Sequence, residues 1–296
     1  MNLIRKIITL IALLLGCALG VSAEDFNENL IKGLQAYSEH NYTESLRYYK
    51  QGAAEGDKYC CGRLAAMYLN GIGTDSNFTE ARKWATTGYQ LGNSYAAAVL
   101  GYTYFFEYGM DNSEAFRFAL PYLEFAYNAE DREFENADLY ANIGLLIATT
   151  KMQTGEMQDG LKWLDTAIED FPTFSPILGQ AAMCYWSLEN YSKAARYATM
   201  ADKENNLQGT FVLGWCMAHG EGIDLNAEDG FKKIRKAANV GTPDYAVFAL
   251  GECYYNGIGT AVNKQLAKEW FQKAADAGIE EAQEKLDILL LLSAKP

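Results

Sequence analysis

Apolar residues fall at helical spacing through most of this chain, in paired segments joined by short polar loops rich in glycine. In residues 59–92, Leu64, Ala65 and Tyr68 share one helical face, and Asn70-Gly71-Ile72-Gly73 follows them. Glycine reaches left-handed backbone angles without a Cβ penalty, so this loop ends the helix. A second helix is predicted to start near Asn77, to carry Trp84 and to stop at Gly92. Asn41, Asn77, Asn226 and Asn263 each stand 15 residues before a closing glycine, at Gly56, Gly92, Gly241 and Gly278. An asparagine oxygen there can accept from the first unpaired amides of a helix, so the spacing predicts four capped second helices.

The pattern repeats. The run from Leu64 through Tyr68, Gly71 and Gly73 recurs 186 residues later as Leu250, Tyr254, Gly257 and Gly259, and the same offset carries Trp84 onto Trp270 and Gly92 onto Gly278. A third copy holds Leu213, Gly214, Met217, Gly220 and Gly222, and its closing Gly241 lies 37 residues before Gly278. Gly56 precedes Gly92 by 36 residues, and the 149 residues from Gly92 to Gly241 accommodate four more units of that length. A period of this size in helical sequence predicts a solenoid of helix pairs, with about seven units after the N-terminal segment.

The pattern Leu-Gly-x-x-Tyr-x-x-Gly-x-Gly, followed by Ala-x-x-Trp-x-x-Lys-Ala-Ala-x-x-Gly, resembles the Sel-one-like repeat, a relative of the tetratricopeptide repeat. Residues 59–92, 94–131, 207–241 and 245–278 carry it best, although 94–131 has an altered loop. Residues 30–56, 136–171 and 175–206 lack Gly-x-Gly and look more like plain tetratricopeptide repeats. The resemblance implies an all-α, right-handed α-solenoid of about seven helix-turn-helix repeats, one domain over residues 24–296, closed by a capping helix at 279–292. It also implies a protein- or peptide-binding concave face lined by the first helices. Alignment to the repeat puts Tyr102, Phe105, Met183, Trp186, Trp215 and Tyr255 on that face. Glu107 and Glu252 nearby would favour a basic or neutral ligand. The apolar end of the last helix, residues 288–292, could dock a second copy of the chain.

The first 23 residues stand apart. Arg5 and Lys6 precede an apolar run over residues 7–21 that ends in Val21-Ser22-Ala23. That is the form of an export signal, cleaved before Glu24, and it predicts a periplasmic or extracellular protein. Leu14-Leu15-Gly16-Cys17 offers a second outcome, a lipid anchor on Cys17, which would make the protein a lipid-anchored subunit of an envelope complex. The remainder has ample material for a core: 49% of the 296 residues are apolar and only 5 are proline, which excludes disorder. Loss of Arg5 and Lys6 turns the net charge of −13 into −15, with basic residues scattered singly, which argues against a nucleic-acid partner.

Reactive residues form no constellation. Cys184, Cys216 and Cys253 occupy one repeat position on successive helices, which lie too far apart for disulfides, and together with Cys60 and Cys61 they read as small core residues. Only His40 and His219 are available as imidazole ligands, and His219-Gly220-Glu221 lacks the second half of a zinc deaminase signature. Residues 224–230 resemble a calcium loop with its glycine displaced and its closing glutamate missing. The Gly-x-Gly pairs follow helices and lack the third glycine of a dinucleotide site. There is no Gly-x-Ser-x-Gly or Ser-x-x-Lys sequence. The expectation is a non-enzymatic scaffold with no catalytic, metal or cofactor residues. Cysteine-rich relatives associated with β-lactams leave action on cell-wall or β-lactam-like substrates as the alternative. Asn41, Asn77 and Asn190 open formal glycosylation sequons, but each sits where a helix cap is needed.

Overall fold

The computed structural model describes residues 27–109, 112–130, 137–240 and 243–293; the side chains of 113 and 290–293 lie outside that description, as does the export segment with Cys17. The described residues form fifteen helices and no strand. Seven are first helices: α1 (Glu28–Ser38), α3 (Lys58–Asn70), α5 (Ser94–Tyr108), α7 (Ala137–Gln153), α9 (Ser175–Ser187), α11 (Leu207–His219) and α13 (Asp244–Asn256). Each is followed by its second helix: α2 (Tyr42–Ala54), α4 (Phe78–Gln90), α6 (Ser113–Asn128), α8 (Met157–Asp170), α10 (Tyr191–Lys203), α12 (Ala227–Val240) and α14 (Lys264–Asp276). The last helix, α15 (Glu280–Ser293), has no partner of its own. The architecture is an α-solenoid of helix pairs, divided within α8 into two compact units, Met1–Gly160 and Leu161–Pro296. No described helix is long and apolar enough to cross a membrane.

The second helices start where the asparagines require. Asn77 Oδ1 accepts from Glu80 N–H at 3.0 Å, Asn263 from Leu266 at 3.0 Å, Asn226 from Asp229 at 3.2 Å and Asn41 from Glu44 at 3.4 Å. Asn190 does the same for Lys193, so the sequon asparagines 41, 77 and 190 are all helix caps. Asn226 belongs to the calcium-like stretch, which is the capped start of α12.

The two glycines of each Gly-x-Gly loop do different jobs. Gly71, Gly220 and Gly257 take φ of 67°, 73° and 74° and end their first helices in the left-handed conformation. The second glycine touches the preceding repeat: a β-carbon on Gly73 would come within 2.6 Å of Tyr42 O, and on Gly222 or Gly259 it would strike the carbonyl of Tyr191 or Ala227. Each struck carbonyl belongs to the first residue of the preceding second helix. The loop of one repeat is therefore seated on the helix start of the repeat before it.

In the first unit Leu46, Tyr49, Cys60, Cys61, Leu64, Met67 and Leu100 pack into one core. Alanines at the helix crossings, among them Ala81, Ala85, Ala96 and Ala97, are fully buried and let the backbones approach closely. In the second unit α15 lays Ala282, Leu286 and Leu289 on Ala267, Phe271 and Ala274, which closes the stack with a helix whose other face carries Glu280, Glu281 and Glu284. The end of this helix is accordingly not free on all sides: Leu289 faces inward at 7% exposure while Ile288 is 46% exposed.

Neighbouring first helices approach to different degrees, and glycine at the fifth position accompanies the closest pairs. The fifth residue is Gly62 in α3, Gly179 in α9, Phe211 in α11 and Phe248 in α13. Asn93, the cap of α5, sits against Gly62, and Asn206, the cap of α11, sits against Gly179. Asn206 Nδ2 also donates to Ser175 O at 3.0 Å, which fastens α11 to α9. Glycine leaves room for this contact, and both α3–α5 and α9–α11 are in direct backbone proximity. Phe211 fills the same room with a ring, and α13 begins after Pro243, which provides no side-chain cap. Helices α11 and α13 stand further apart than α9 and α11.

Candidate functional site

The space between α11 and α13 is a cleft of about 250 Å³ in the second unit. Only first helices and the loop after α13 line it: Trp186 comes from α9, Phe211, Trp215 and His219 from α11, and Tyr245, Phe248 and Glu252 from α13. Residues 211, 215 and 219 are one helical turn apart and make a single stripe, and residues 245, 248 and 252 do the same on α13. Trp186 is the hub. Its ring meets Phe211 at 5.4 Å, Trp215 at 5.6 Å and Tyr245 at 6.0 Å, each edge to face. The His219 ring stacks on Trp215 at 4.4 Å, fixed by donation from Nδ1 to Trp215 O at 2.9 Å. Phe211 is wholly buried and forms the floor, whereas both tryptophans are half-buried at the rim.

Of the six residues that alignment puts on the binding face, the structure brings together two, Trp186 and Trp215. Met183 and Tyr255 are half-buried in the same unit but do not line the cleft; Tyr255 packs instead against Phe271 at 6.2 Å. In the first unit Phe105 is a core residue, 3% exposed and edge-on to Phe116 at 5.0 Å, so it is not available to a ligand. Its neighbour Tyr102 is partly buried, which pushes the phenol up to about 12. The exposed rings of that unit lie elsewhere: Phe106 and Phe78 are 54% and 48% exposed and stack at 5.2 Å. Alignment missed Phe211, His219, Tyr245 and Phe248. The signal was present in the turn-by-turn spacing along α11 and α13, but nothing in the spacing told that these two helices part.

A polar cluster lies in the same unit, away from the cleft lining. Asp165 of α8 accepts from Lys193 at 2.8 Å, Tyr185 at 2.9 Å and Tyr197 at 2.7 Å, and Lys193 also donates to Tyr185 at 3.0 Å. Burial works to raise the Asp165 carboxyl, but these hydrogen bonds outweigh it and hold the group below the usual carboxylate range. The hydrogen bond to Asp165 raises Lys193, and burial raises Tyr197. The arrangement locks charges in place and ties three helices together; it offers no poised acid or base. The cysteines are also held inert. Cys60, Cys61, Cys216 and Cys253 are buried free thiols, and desolvation pushes Cys61 up to about 11 and Cys216 and Cys253 to about 12.

Stacked helix pairs with seated glycine loops define a helical-repeat protein of the tetratricopeptide-like class. The Sel1 repeat family matches at residues 30–57, 58–93, 208–241 and 244–279, and the chain is a Sel1-repeat protein of that superfamily. The match includes the first repeat, which lacks Gly-x-Gly, and omits 94–131, where α5 runs on to Tyr108 and Gly109 takes φ 88° and ψ 152° instead of the left-handed cap. Similar solved structures agree on the fold. A protective antigen of uropathogenic Escherichia coli with an SLR fold superposes with a TM-score of 0.63 at 22% identity, over 95% of this chain and 56% of the antigen. The chain thus spans little more than half of that relative. A Sel1 repeat protein from Oxalobacter formigenes gives 0.60 at 18% identity, over 84% of this chain and 97% of the other. The C-terminal part of a tetratricopeptide-repeat protein from Cytophaga hutchinsonii gives 0.51 at 17%, over 86% and 98%. No curated protein matches the sequence.

Proposed function

We propose that this protein is an exported, non-enzymatic scaffold that captures a protein or peptide on the face built by its first helices. Sel1 and tetratricopeptide repeats are in general scaffolds for protein–protein interaction. The observation that carries the reading here is the cleft between α11 and α13, where two half-exposed tryptophans stand over a buried phenylalanine floor. Large rings that project from rigid helices bind at little entropic cost, because few rotatable bonds are frozen. Export rests on the signal-like segment before Glu24, and the mass of the mature N-terminus separates cleavage there from lipidation of Cys17.

The test is affinity capture from an extract of the producing cells with the wild-type protein and with a Trp186→Ala/Trp215→Ala variant of verified helicity. A partner held by the wild type and lost by the variant supports the reading. A partner held equally by both moves the binding surface away from the cleft and overturns it.

A further inference from the structure

The cleft of the second unit has a definite chemistry. One carboxylate, Glu252, stands among the rings, and no lysine or arginine contributes to the lining. Rings elsewhere in the chain are met by the chain's own cations: Lys273 Nζ lies 3.9 Å from the Trp270 centroid, Lys193 4.6 Å from Tyr185 and the Arg82 guanidinium 4.7 Å from Tyr104. Among the described residues no cation is placed over Trp186, Trp215 or Tyr245. Glu252 Oε2 accepts from Asn256 Nδ2 at 3.2 Å. Its Oε1 accepts no hydrogen bond; Lys285 Nζ lies 3.0 Å from it as an ion pair without hydrogen-bond alignment. Lys285 reaches in from α15, outside the cleft lining.

We propose that the cleft receives the cationic side chain, lysine or arginine, of an extended peptide segment, with Glu252 as counter-ion and Lys285 as the internal cation that holds that carboxylate when the cleft is empty. This rests on the peptide-binding reading of the first-helix face and adds the chemistry of the ligand. A cavity of about 250 Å³ is below the roughly 300–1,000 Å³ of sites that enclose a whole small ligand, and it suits one long side chain. Aromatic walls attract a cation through their negative ring faces, and the attraction strengthens when water is excluded. The formal charge of −13 draws basic segments from a distance. Glu252 and Lys285 act in opposite directions: the first attracts the ligand's charge and the second competes with it.

The experiment titrates the purified protein with acetyl-Ala-Ala-Lys-Ala-Ala-amide and with the same peptide carrying norleucine in place of lysine, and follows the tryptophan indole N–H signals by NMR. Signals of Trp186 and Trp215, assigned with single Trp→Phe variants, are expected to shift saturably with the lysine peptide. The norleucine peptide, and the lysine peptide with Glu252→Gln, should bind about tenfold more weakly. Lys285→Ala should bind the lysine peptide a few-fold more tightly, whereas Lys268→Ala, an equal charge change at an exposed site on α14, should not. Equal binding of both peptides overturns the cationic specificity and leaves the peptide-binding reading standing. Absence of shifts with either peptide, or an equal response in Lys285→Ala and Lys268→Ala, overturns the proposal, while capture by the Trp186→Ala/Trp215→Ala variant decides the broader reading separately.

Discussion

Gly179 lies directly against the carboxamide of Asn206. That single side chain caps α11 through Gly209 N–H at 3.0 Å and holds α9 through Ser175 O at 3.0 Å, so one group serves two repeats. Gly179→Ala forces the carboxamide out of this position, and we expect a loss of about 1–3 kcal/mol from overpacking and the displaced cap. Asn206→Ala should cost about 1–2 kcal/mol. Urea unfolding of the two single variants and the double variant should show sub-additive losses, since the same contact is removed twice.

Phe211 occupies the equivalent place in the next first helix and is the floor of the cleft. Phe211→Ala removes a wholly buried ring and should cost about 3–5 kcal/mol. The loss of its edge contact with Trp186 should also shift the tryptophan emission to the red, whereas Phe106→Ala, at a 54% exposed ring, should leave stability within about 1 kcal/mol of wild type.

The seated loops predict an order among glycine variants. Gly222 has φ 72° and no room for a β-carbon beside Tyr191 O, while Gly56 has φ 87° and open space around it. Gly56→Ala pays backbone strain alone, about 1–2 kcal/mol, and Gly222→Ala adds a steric clash with main chain to that strain. Thermal melts should rank Gly222→Ala well below Gly56→Ala, and equal melting temperatures would show that the loop yields.

Asp165 contributes to the acid limit of the second unit, as Asp202 does beside Lys233. Its carboxyl is depressed in the folded state, so its contribution is present above the unfolded value near 4 and is lost as pH falls through the lower folded value. Lys193 is raised, so its contribution persists below its unfolded value near 10.4 and fades only at higher pH. Asp165→Asn should cost about 1–2 kcal/mol at pH 7, discounted for the partial exposure of the pair. Stability measured between pH 2 and 7 should then show a flatter acid limb in the variant.

The thiols offer a simple check on packing. Four of the five described cysteines are buried, and Cys184 is the half-buried one. Alkylation of the native protein at pH 8 should therefore be slow and should begin at Cys184, and denaturation without reductant should release all five.

The helix pairs, the caps and the Gly-x-Gly loops were legible in the sequence because each rests on local chemistry. An asparagine caps or a glycine turns within a few residues, and the period repeats that chemistry where the eye can compare copies. Trp186 and Trp215 were named from their places in the repeat alignment, four residues after Ala182 and one after Gly214, and both line the cleft. Phe105 misled, because its helical position faces the core, where it meets Phe116; Leu69 of α3 and Ala218 of α11, at the same place in their repeats, are buried too. The cleft itself was hidden. It depends on the separation of α11 and α13, a relation between repeats that no single repeat displays.

The seating of Gly222 on Tyr191 and of Gly259 on Ala227 gives the second unit a polarity. Both of these glycine loops lean on the repeat before them. Detaching the last repeat leaves the footing of its predecessor intact, whereas loosening an earlier repeat removes the ground beneath the next. A stack built this way should peel from its C-terminal end under load, and a single-molecule pull on that end should meet a staircase of small yields instead of one abrupt rupture.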